Sequence, residues 1–164
     1  MTQEEYMSLA LSLAREAAEK GEVPVGCVVA SGDGRVVGRG RNRREELKNA
    51  AAHAEMQAIE EACRTLGDWR LSDCSIYVTL EPCPMCAGAI LGARIKNLCF
   101  GAKEPISGSC GSVINLFMES YGYSPAIVGG ILEEECAAVM RDFFRRRREG
   151  DLPPVSFGTD NWNK

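Results

Sequence analysis

The chain has 164 residues, 45% of them hydrophobic and 26% charged, and a formal net charge of −4. That length suits one domain able to bury most of its apolar surface, and the composition excludes an intrinsically disordered chain. No stretch approaches the ~18 apolar residues that a membrane span needs, and the net negative charge argues against a protein that coats nucleic acid indiscriminately.

The acidic start Met1-Thr2-Gln3-Glu4-Glu5 leads into an alanine-rich amphipathic stretch rather than a signal-peptide core, so a cytoplasmic protein is expected. From Glu4 to Lys20, the residues Tyr6, Leu9, Ala10, Leu13, Ala14 and Ala17 recur at three and four, predicting a helix stopped by Gly21. Val25 to Ala30 is rich in β-formers, Ser31-Gly32-Asp33-Gly34 is turn chemistry, and Arg35 to Arg41 resumes with Val36 and Val37, which predicts a hairpin. Ala54, Ala58, Ile59 and Ala62 predict a second helix from about His53 to Leu66, ended by Gly67. Ser75 to Thr79 reads as a strand, Pro84 to Ala93 as a helix with proline in its first turn, and Asn97 to Phe100 as another strand.

A glycine- and serine-rich loop from Gly101 to Ser112 follows, then a helical stretch at Val113 to Met118, a strand at Ala126 to Val128 and a helix from Glu133 to Arg148. Residues 1–150 are expected to form one domain, with 151–164 a loose tail that holds two prolines and little periodicity. Helices alternating with short valine- and isoleucine-rich strands predict an α/β protein with one mixed sheet covered on both faces.

Without a secretion signal, the eight cysteines are expected to be thiols or metal ligands. Cys27, Cys63, Cys74, Cys99 and Cys136 sit in apolar or periodic segments and are expected in the core. His53-Ala54-Glu55 and Glu81-Pro82-Cys83-Pro84-Met85-Cys86 are different, because together they offer one imidazole and two thiolates. Structural zinc sites close with four protein ligands, whereas catalytic sites keep a position for water, so His53, Cys83 and Cys86 point to a catalytic zinc. A closed structural site is the alternative, with Cys63, Cys74 or Cys110 as fourth ligand.

Cys83 and Cys86, three apart on a first helical turn, can converge on one ion, and the helix N-terminus favours thiolate. Hydrolysis of an amino-substituted ring needs protons moved from water to a ring nitrogen and to the departing amine, and Glu55 is the candidate carrier. Residues two apart on a regular helix point about 200° away from each other, so His53 is expected at an irregular first turn.

His-x-Glu followed by Pro-Cys-x-x-Cys is the signature of the zinc deaminases. At these residues the chain resembles the cytidine deaminase superfamily, and more closely the bacterial tRNA-specific adenosine deaminases. The likeness runs from about Glu4 to Arg148 and takes in Glu22-Val23-Pro24-Val25-Gly26, Asn42, Tyr77 to Cys83, Met85 to Ala89, Gly111-Ser112 and Asp142-Phe143-Phe144-Arg145. It implies a three-layer α/β/α fold with a five-stranded mixed sheet, one zinc per chain, a homodimer, and conversion of adenosine to inosine at the wobble position of a tRNA anticodon loop.

By the same resemblance, Asn42 touches the target nucleoside, while Val23, Pro24 and Ala54 line the pocket. Glu104 lies in a loop that resembles the family's nucleic-acid-contacting loop. Glu104 and Ile106 replace the Asp and the basic or polar residue usual there, and Gly122-Tyr123 stands where asparagine-histidine is common. Phe143 and Phe144, beside Arg141 and Arg145 to Arg148, are candidates for base stacking and phosphate contact. These departures keep one alternative open, a deaminase of a free nucleobase or nucleoside, such as guanine, cytosine or an analogue; a further alternative is a non-catalytic zinc-stabilised binding module, against which the presence of Glu55 speaks.

Overall fold

Thr2 caps the first helix, α1 (Gln3–Glu19), with its hydroxyl accepting from the Glu5 amide while the Glu5 carboxylate accepts from the Thr2 amide. Its buried stripe of Tyr6, Met7, Ala10, Leu11, Ala14 and Ala17 covers one face of the sheet. The computed structural model describes residues 1–151, so all of the expected tail except Asp151 lies outside the described residues.

The hairpin forms as β1 (Gly26–Ala30) and β2 (Val36–Arg41), antiparallel and with a register shift between Val29 and Ala30. A short helix, α2 (Arg44–Leu47), follows, then α3 (Ala54–Leu66), β3 (Ser75–Leu80), α4 (Pro84–Gly92) and β4 (Asn97–Ala102). The chain ends its described course with β5 (Ala126–Val128) and α5 (Glu133–Arg148). Among the described residues one sheet forms in the order β2-β1-β3-β4-β5, with β1 antiparallel to β3 and the last three strands parallel. The fold is the three-layer, five-stranded mixed-sheet architecture that the sequence implied.

Alternating strand residues build the two cores. Cys27, Val29, Ile76, Val78 and Leu98 meet α3 and α4 on one face, while Val28, Ala30, Tyr77 and Cys99 meet α1 and α5 on the other. Cys27, Cys74, Cys99 and Cys136 are buried as expected, but Cys63 is only partly buried because it faces the mouth of the α3 to β3 connection, its thiol reaching the Trp69 carbonyl at 3.8 Å.

Two other expectations are corrected. The helical stretch at Val113 to Met118 shrinks to one 3₁₀ turn at Leu116–Met118, because the amides of Val113 and Ile114 return to the Gly108 carbonyl and close a loop instead. The expected loop at Gly101 starts later, since Gly101 and Ala102 extend β4.

Close approach of α3 to β2 sets the position of the α3 N-terminus. A Cβ on Gly40 would lie 2.1 Å from the Ala54 carbonyl oxygen and 2.7 Å from the Ala58 nitrogen. Gly40→Ala is therefore expected to lower unfolding stability by about 1–3 kcal/mol and to weaken metal retention, because the displaced turn carries His53. Denaturant titration and metal analysis check both; unchanged stability would mean that the helix can back away freely.

Candidate active site

Two helix N-termini meet at the C-terminal end of β3. His53 is the N-cap of α3, with extended backbone (φ −77°, ψ 156°), and Cys83 is the N-cap of α4 (φ −72°, ψ 172°), followed by Pro84 in the first turn. The extended cap at His53 removes the geometric problem posed by His-x-Glu, because His53 stands outside the helical repeat that aims Glu55.

His53 Nδ1 lies 3.6 Å from the Cys83 sulfur and 3.5 Å from the Cys86 sulfur. Zinc bonds of about 2.3 Å to sulfur and about 2.0–2.1 Å to nitrogen at tetrahedral angles put such atoms about 3.5–3.6 Å apart, so this donor set fits a zinc ion. Among the described residues the cluster of mutually close donor atoms consists of His53, Cys83 and Cys86; neither Cys63, Cys74 nor Cys110 joins it. The arrangement leaves a fourth position for a non-protein ligand.

Protons are held unevenly across the cluster. The Cys86 thiol donates to Cys83 and holds its pKa down at about 4, with His53 contributing. Cys86 is pushed up, first by keeping that shared proton and then by burial. Hydrogen bonding to Cys83 raises His53. Burial raises Glu55, against the opposing influence of its helix-terminal amide and the His53 charge.

The cluster opens into a cavity of about 270 Å³. Val23, Asn42, Ala54, Glu104 and Phe144 line it together with His53, Glu55 and Cys83, while Cys86 lies buried beneath. Two expected residues are not brought there. Pro24 is buried away from the cavity, where Val25 takes its place. Phe143 is 1% exposed and packs edge-on against Phe144, because adjacent residues on α5 point about 100° apart and only one can face the cleft.

Buried carboxylates hold two of the walls. Glu22, 1% exposed, accepts from the amides of Glu45 and Glu46 at 2.9 Å each and so fixes α2. The Asn42 side chain, just before α2, donates to the Val23 carbonyl and accepts from the Arg44 amide, both at 3.2 Å. On the opposite side Glu81 accepts from residues of the 104–112 loop. Arg44, Leu80, Ser107 and Met140 also line the cavity. Sequence reading missed them, and the only signal for Glu81 and Leu80 was their place in the run before Cys83.

The α5 arginines are partly engaged within their own helix. Arg141 pairs with Glu134, Arg145 with Asp142 and Glu149, and the Arg147 guanidinium lies 5.6 Å from the centre of the Phe144 ring.

A family model for MafB19-like deaminases matches residues 1–148. The chain is 46% identical over 151 residues to the tRNA-specific adenosine deaminase of Bacillus subtilis (strain 168), covering 91% of this chain and 93% of that protein. It is also similar to a solved chain from work on A-to-I editing by tRNA:A34 deaminases at the wobble position of transfer RNA, at 44% identity and a TM-score of 0.79, covering 82% and 98% of the two chains. A solved guanine deaminase from Bacillus subtilis shares 31% identity and a TM-score of 0.60, covering 73% of this chain and 87% of the other.

Proposed function

Since the chain belongs to the MafB19-like deaminases and is 46% identical to a tRNA-specific adenosine deaminase over nearly the whole of both chains, we propose that it hydrolyses adenosine to inosine at the wobble position of a tRNA anticodon loop. The observation that carries the chemistry is the cluster of three donors, His53, Cys83 and Cys86, set beside a buried glutamate in a cavity of nucleoside scale. His53, Cys83 and Cys86 would hold one zinc per chain, which when bound lowers the pKa of a coordinated water to about 7.

Glu55 takes the proton of the attacking water and passes it to the ring nitrogen next to the carbon under attack. It then carries the second proton to the exocyclic nitrogen, so that the carbon–nitrogen bond breaks, a carbonyl forms and ammonia leaves. Burial serves this role, because a raised pKa lets one carboxylate both accept and return a proton. Val23, Leu80 and Phe144 give the base apolar surface and exclude bulk water, and Asn42 offers its amide at the cavity wall.

An unpaired anticodon base can be splayed into such a cavity, whereas a stacked base in a helix cannot. Arg44 at the cavity wall supplies positive charge for a flanking phosphate, and α5, which lends Met140 and Phe144 to the cavity, also carries Arg141 and Arg145 to Arg148. Cytoplasmic residence and a homodimer belong to the same proposal. Val113, Ile114, Met118 and Tyr121, all exposed, offer apolar surface for a second copy, and no helix among the described residues is long and apolar enough to cross a membrane.

Incubation of the zinc-loaded chain with a tRNA bearing adenosine at the wobble position, in parallel with free bases and nucleosides, tests this reading. Inosine confined to that position and stoichiometric ammonia are expected. Ammonia released only from a free base such as guanine would replace the tRNA reading with the small-molecule one.

A further inference from the structure

The wall of the cavity that carries Glu104, Ile106 and Ser107 belongs to no helix or strand, and its shape depends on one buried side chain. Glu81, 2% exposed, follows directly on β3. Its Oε1 accepts from the Glu104 amide at 3.2 Å and from the Ser112 hydroxyl, while Oε2 accepts from the amides of Cys110 at 2.9 Å and Ser112 at 3.2 Å. The Ser109 amide donates to the Pro82 carbonyl at 2.9 Å. Gly108 passes so near that a Cβ there would stand 2.5 Å from Glu81 Oε2. The loop is thus wrapped around the Glu81-Pro82 dipeptide, which leads into the ligand Cys83.

We propose that Glu81 is a positioning residue: its carboxylate holds the 104–112 loop at the spacing a bound base requires, and so sets substrate affinity while leaving proton transfer to Glu55. The inference rests on the deaminase reading of the cavity. Four donors converge on two oxygens, and only an ionised carboxylate can accept at both. Glutamine has the same shape but one accepting end. Its amide nitrogen replaces Oε1 at lower cost than Oε2, because the Ser112 hydroxyl can turn to accept, whereas two backbone amides at Oε2 cannot. The substitution then leaves the Glu104 amide facing another donor and keeps the Cys110 and Ser112 amides bound. It releases the part of the loop that touches substrate.

The zinc-loaded Glu81→Gln enzyme, assayed on the wobble-adenosine tRNA, is expected to show a KM raised about tenfold, the equivalent of one lost charge-assisted hydrogen bond, with kcat within about threefold of the parent. Zinc content stays at the parent level. Amide hydrogen exchange at residue 104 speeds up at least about tenfold, while α3 and α4 keep their protection. A fall in kcat at constant KM, or unchanged exchange at residue 104, overturns the proposal. Should Glu81→Gln fail to fold, Glu81→Asp keeps the charge but draws the carboxylate back by one methylene from the Glu104 amide, and an unchanged KM there overturns it equally. A parent enzyme silent on this tRNA overturns the proposed function instead, and the exchange measurement still decides on Glu81.

Discussion

Glu55→Gln is expected to lower kcat by at least about 10³-fold while zinc stays bound and the fold stays intact. Glutamine keeps the volume and polarity of the side chain but can neither take a proton from water nor deliver one to nitrogen, and a positioned acid–base group contributes about 10²–10⁴-fold. Because this reaction asks the same group to serve twice, the upper part of that range applies. Glu55 is 4% exposed, and burial already strains its ionised form, so the neutral amide is expected to leave thermal stability unchanged or slightly raised. Zinc analysis, melting temperature and ammonia release on one preparation check all three statements.

The combination is diagnostic. Activity lost together with zinc would place Glu55 among the groups that shape the metal cluster rather than the proton path, and full activity would remove it from the mechanism. A binding module would show no turnover to lose, and its affinity for RNA would be indifferent to the change.

The parts of this molecule that were legible in the sequence are those whose causes are local. Helices α1, α3 and α5 announce themselves through apolar spacing, and Gly67, with φ of 68°, ends α3 where its lack of a Cβ makes that conformation easy. The His53, Cys83 and Cys86 set was readable because ligand chemistry restricts residue type so strongly. What escaped depends on partners far along the chain. The short α2 has no apolar period and is held by the carboxylate of Glu22, 23 residues earlier than the Glu45 amide it receives. Strand order was equally hidden, since β1 lies between β2 and β3 through pairings that no local pattern encodes. Phe143 and Phe144 are neighbours in sequence and face different surroundings, a distinction that only the rotation of α5 decides. Glu81 reads as part of a motif, yet its work is defined by amides at 104, 110 and 112.

Cys86→Ala is expected to do what Glu55→Gln does not, removing zinc, activity and stability together. Cys86 is fully buried at the third position of α4, with its sulfur 3.5 Å from His53 Nδ1. Without it two donors remain, and two donors cannot compete with water and buffer for an ion that three would hold. Activity is expected to fall at least about 100-fold, as the fraction of chains holding metal falls. A ligand that binds only the folded chain stabilises it by about 4 kcal/mol at a thousandfold excess over Kd, and the variant forgoes that increment. Its melting temperature is therefore expected to be lower than the parent's and insensitive to a chelator, whereas the chelated parent should fall to nearly the same value. Loss of zinc without loss of stability would mean that α3 and α4 are docked by their apolar contacts alone. A variant that keeps zinc and turnover would show that another group supplies the third donor, and the open three-ligand centre would have to be redrawn.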